Sequence, residues 1–95
     1  MIRANSFSSV NYELGSTVYY SLHGSAVNIS CNTGDYILSM STRSDNPTVT
    51  GMTLVNSATY STNQYVRLYK ADSATPTFTS GGSAGESYIV VMTPA

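Results

Sequence analysis

No stretch of this 95-residue chain repeats apolar residues at three-four spacing for two helical turns, and short alternating runs stand in its place. That pattern is what most restricts the fold. Runs rich in Val, Ile, Thr and Tyr, cut by Gly, Asn, Asp and Ser, are the sequence form of β-strands joined by turns. Residues 17–22 form one such run, with Val18 and Tyr20 on one face and Tyr19 on the other. Residues 26–31 follow, with Val27, Ile29 and Cys31 sharing a face. The Asn32-Thr33-Gly34-Asp35 stretch predicts a tight turn, since Asn and Gly tolerate positive φ. In residues 36–41, Tyr36, Leu38 and Met40 alternate with Ile37, Ser39 and Ser41.

Residues 51–55 and 64–70 give two further strands. In the second, Val66 and Leu68 face one way and Tyr65, Arg67 and Tyr69 the other. Residues 76–79 predict a short edge strand, because Pro76 has no N–H to give a ladder. Residues 86–93 are apolar on both faces and belong inside a sheet with a layer or partner on each side. Residues 13–16 are expected to turn, 42–50 to form a polar loop with a short edge strand, 56–63 a second polar loop, and 80–85 a flexible one. Residues 1–12 are weakly patterned and predict an N-terminal arm or irregular edge strand anchored by Ile2, Phe7, Val10 and Tyr12.

Seven to eight short strands at roughly ten-residue spacing predict an all-β, antiparallel β-sandwich, immunoglobulin-like or jelly-roll-like, over residues 13–95. With no Trp and one Cys, the Cys–Trp–Cys signature of immunoglobulin domains is absent, so the expectation is architecture and not that topology.

The residue inventory argues against catalysis. The one histidine, His23, sits in a Leu-His-Gly turn, and no G-x-S-x-G elbow is present. One His and one Cys cannot close a zinc site, and the acidic residues lack calcium-loop spacing. The only glutamates, Glu13 and Glu86, have nothing that pairs them for glycoside hydrolysis. The glycines of residues 81–85 lack the Lys and following helix of a phosphate loop. The sequence therefore predicts no enzyme, cofactor or metal. Cys31 reads as a buried, inert thiol. The Asn28-Ile29-Ser30 sequon falls inside a predicted strand and reads as chance.

Charge narrows the partners. Charged residues make up only 9% of the chain, and the four cations (Arg3, Arg43, Arg67, Lys70) are scattered. Nucleic-acid binding normally needs a basic stripe, so none is expected. No apolar leader follows Met1, and no run nears the ~20 apolar residues of a membrane span. Neither Sec-type secretion nor membrane residence is expected, and synthesis in the cytoplasm fits a single cysteine. So neutral a surface is prone to association, which points to association as the chain's work. Eight tyrosines against two Phe reinforce this, since tyrosine is enriched at interfaces. Tyr19, Tyr65, Arg67 and Tyr69 are the expected contact patch, with Ile2 and Phe7 on the arm. The alternative readings of these tyrosines are sheet filler through cross-strand pairs and a stacking platform for sugars.

From Gly34 the chain runs Gly-Asp-Tyr-Ile-Leu-Ser-Met, then Val-Thr-Gly-Met-Thr-Leu-Val, Tyr-Val-Arg-Leu-Tyr-Lys-Ala and Gly-Glu-Ser-Tyr-Ile-Val-Val-Met. This order of strands and turn residues resembles the small β-sandwich modules of tailed-bacteriophage virion proteins. They include capsid decoration proteins, head fibres and tail-fibre domains. Met52 stands where the family commonly has Trp. The resemblance implies a non-enzymatic virion structural protein, foremost a capsid decoration or auxiliary protein. Its partners would be the major capsid protein or other virion proteins. The alternatives are a host-surface glycan-binding module and a homo-oligomeric subunit of a trimeric fibre. A start at Met1 and one-domain length further predict a complete small gene product.

Overall fold

Strand β3 (Tyr36–Thr42) sets the layout, because it is hydrogen-bonded along its whole length on both sides. The computed structural model describes residues 12–44, 46–82 and 84–94. Eight strands lie within them: β1 (Tyr12–Leu22), β2 (Ala26–Asn28), β3, β4 (Thr48–Thr50), β5 (Met52–Ser61), β6 (Gln64–Ala71), β7 (Thr77–Thr79) and β8 (Glu86–Pro94). A five-stranded sheet has the order β1-β8-β3-β6-β5, and a three-stranded sheet the order β2-β7-β4. Every pair of these strands is antiparallel. The expected antiparallel sandwich is what forms.

The core lies between the sheets. Phe78 from β7 and Ile29, just past β2, meet Ile37, Met52, Tyr69, Ala71, Ile89 and Val91 from the long sheet. Tyr19, Cys31 and Val49 border them. Residues 26–31 remain extended beyond β2. There the N–H of Ile29 donates to the carbonyl of Pro76 (2.9 Å), and that of Cys31 to Ala74 (3.1 Å).

Beside the apolar core sits a buried set of hydroxyls. Ser21, Ser39, Ser41, Ser44, Ser80 and Ser87 are all 5% exposed or less. Ser41 Oγ lies 2.7 Å from Ser87 Oγ, which lies 2.7 Å from Ser80 Oγ. Ser80 Oγ also lies 2.8 Å from the carbonyl of Ser21, and the Ser80 N–H donates to Ser21 Oγ. Ser80 Oγ donates toward both Ser87 Oγ and the Ser21 carbonyl, which share its one hydrogen, and in the Ser41–Ser87 pair either hydroxyl can donate.

Several local expectations are corrected. Residues 13–16 do not turn; β1 runs through them with a bulge between Leu14 and Val18. Residues 56–63 are not a loop; β5 continues to Ser61 and returns through Thr62-Asn63, where Asn63 has φ 67°. Its residues past Met52 are exposed, so an apolar pattern was not required of them. The 76–79 strand is not at an edge; β7 is the centre of the short sheet. Pro76 precedes its ladder, so the missing N–H costs no bond. As expected, β8 is interior, between β1 and β3. Ile2 and Phe7 lie outside the described residues, as does all of the 1–12 arm except Tyr12, where β1 begins.

Candidate functional site

Side chains of a strand alternate between faces. In β3, Ile37, Ser39 and Ser41 are buried toward the short sheet, so Tyr36, Leu38 and Met40 must point outward. The register carries this across the sheet. Tyr36 aligns with Lys70 and Met92, Leu38 with Leu68 and Val90, Met40 with Val66 and Tyr88, and Thr42 with Gln64 and Glu86. From β1, Val18 pairs with Val90 and Tyr20 with Tyr88. From β5, Ala58 pairs with Val66, and a bulge brings Val55 beside Leu68.

The result is an open apolar sheet face. Leu14 is 67% exposed, Val18 58%, Met40 50% and Tyr60 81%. Tyr20 and Tyr88 pack with ring centroids 5.0 Å apart, and Tyr12 meets Tyr36 edge-on at 5.8 Å. A hollow of about 270 Å³ lies toward one end, lined by Tyr12, Tyr36, Val55, Leu68 and Met92. Met40, Tyr60, Val66 and Tyr88 frame a second depression toward the other end. Among the aligned outward positions only Lys70 and Glu86 carry charge, and they stand at opposite ends. The Tyr20 hydroxyl donates to Glu86 Oε2 at 3.4 Å. Partial burial, with Glu86 beside it, raises the Tyr20 pKa.

The expected contact patch is distributed otherwise. Tyr65, Arg67 and Tyr69 point toward the short sheet, while Val66 and Leu68 point out. Tyr69 is a core residue, 3% exposed, edge-on to Phe78 at 6.2 Å. Tyr65 and Arg67 are brought together, the guanidinium 4.9 Å from the ring centroid, and Arg67 Nη1 donates to the carbonyl of Ser44 (2.9 Å). Tyr19 is half-buried three strands away, its hydroxyl accepting the Ser30 N–H at 3.1 Å. Alternation shows which residues share a face; which face is covered depends on the second sheet. The available clue was β8, apolar on both sides yet backed by one layer.

Reactive groups lie elsewhere. The half-buried Cys31 thiol has its pKa raised by burial and then by the Asp35 carboxylate, which disfavours the thiolate. Asp35 is buried in its turn, accepting from the Asn32 N–H (2.9 Å) and Thr93 Oγ1 (3.2 Å). Among the described residues no group of three His, Cys, Asp or Glu could hold a metal ion, and no helix is long and apolar enough to cross a membrane. The open face itself offers buried area and shape. No protein-family model, curated protein or solved structure matches the chain.

Proposed function

We propose that this protein is a non-enzymatic structural component of a virion, a capsid decoration or auxiliary protein, whose outer sheet face is covered in the assembled particle. One observation carries the reading: a five-stranded sheet with one face against the core and the other apolar and open. Soluble monomers rarely expose apolar patches beyond a few hundred Å², and larger ones mark interaction sites. The low charge of the chain fits a surface spent in contact with neighbours. The particle in question follows from the resemblance of residues 34–92 to tailed-phage virion modules.

Mass spectrometry of density-purified particles, from the phage whose genome carries this reading frame, tests the reading. The protein is expected at a fixed copy number relative to the major capsid protein. Its absence from washed particles would overturn the assignment.

A further inference from the structure

We infer that the outer face is covered by a second copy of this chain, two long sheets packing face to face with their ends exchanged. The inference names the neighbour within the proposed assembly role and rests on that role for the face's significance.

Area is the first argument. Five strands at about 4.8 Å spacing and about 3.4 Å per residue along β3 make a face roughly 24 Å by 24 Å. Two such faces remove about 1,100 Å² in projection, and more with side-chain relief, which reaches the range of specific interfaces. Residues 1–11 laid along the face as a strand would cover about 5 Å of that width. A second sheet matches it in full.

Shape and charge set the orientation. Tyr60, the most exposed large apolar side chain among the described residues, stands toward the end that carries Thr42 and Glu86. The apolar hollow lined by Tyr12, Tyr36 and Met92 opens toward the end that carries Lys70. A two-fold axis lying between the faces and crossing β3 exchanges these ends. Each Tyr60 is then carried toward the other copy's hollow, and Lys70 toward the end holding Glu86 of the partner subunit. A two-fold axis running along β3 would instead keep the ends together, setting like charge toward like and Tyr60 at the partner's β1 edge, at the end away from the hollow.

Sedimentation analysis of the whole chain tests this. The expected result is a dimer at roughly 100 µM or below, within the affinity such an interface supports. Met40→Lys puts a charge at the centre of the face on a half-exposed side chain, and is expected to weaken dimerisation about 100-fold or more. Lys70→Glu or Glu86→Lys alone should weaken it roughly tenfold, and the double exchange should restore it to within about twofold. A wild-type monomer at this concentration overturns the inference, as does a dimer unmoved by Met40→Lys. If Met40→Lys does not fold, the charge exchange decides alone, and failure of the double variant to recover overturns the orientation. A monomer that is nonetheless found in particles refutes only the second copy. A dimer absent from particles refutes only the virion role.

Discussion

Ser80 Oγ lies 2.7 Å from Ser87 Oγ and so ties the end of β7 to the long sheet through buried hydroxyls. The sandwich is thus held in two ways. Apolar contact around Phe78 secures one part, and a chain of buried hydroxyl hydrogen bonds another.

Position among the hydroxyls makes them unequal. Ser87 sits in the middle, bonded to both Ser41 and Ser80, so Ser87→Ala breaks two buried hydrogen bonds and is expected to cost about 1–3 kcal/mol. Ser41→Ala breaks only the bond to Ser87 and should cost about 0.5–1.5 kcal/mol. Urea unfolding of the two variants compares them; equal losses would show that the Ser80–Ser87 bond contributes nothing.

Alkaline pH should weaken the fold through Tyr69. Burial between the sheets raises its pKa above the usual 10.0, with Arg67 partly opposing this. The native state therefore holds the phenolic proton more firmly than the unfolded chain. Its contribution is fully present below pH 10 and falls as pH rises through the native pKa, by at most about 1.4 kcal/mol per pH unit. Tyr69→Phe should flatten the drop in denaturant midpoint between pH 10 and 11 relative to the parent chain.

Gly85 is held in close quarters. A Cβ there would strike the carbonyl oxygen of Gly81, and one at Gly81 would strike that of Asn46. Backbone must move in either case, so Gly85→Ala is expected to cost roughly 1–3 kcal/mol. Thermal unfolding measures the loss; an unchanged midpoint would show that the loop yields freely.

Arg43 has φ 58°, in the left-handed region, and its N–H donates to the carbonyl of Asn63 at 2.7 Å. A side chain there costs about 1–2 kcal/mol, and glycine's greater unfolded freedom cancels part of any relief. Arg43→Gly should stabilise the chain by up to about 1 kcal/mol, read from its denaturation midpoint.

The strand-and-turn rhythm was legible where period two is clean. Tyr36 to Ser41 alternates as expected, and the two-sided run from Tyr88 to Met92 correctly placed β8 inside the sheet. Three things were not legible. The sign of the faces was inverted at Tyr65, Arg67 and Tyr69, because Val66 and Leu68 are as apolar as the side that became core. The outer half of β5 was missed, because an edge strand with both faces open needs no apolar residues. The chain of hydroxyls was hidden because Ser41, Ser80 and Ser87 count as polar in any pattern. Their small size lets them pair with one another in the dark of the core.

Strand β5 hangs on the sheet by one ladder, and only Met52 among its residues is buried. The far part of the β5–β6 hairpin, around Thr62 and Asn63, can therefore peel away without wetting Phe78 or Ile37. Amide deuterons should enter there well before they reach β3, since local opening costs least where the fewest contacts break. Whatever settles on the outer face gains its firmest hold on β3 and β8, and lends β5 a rigidity that the lone protomer lacks.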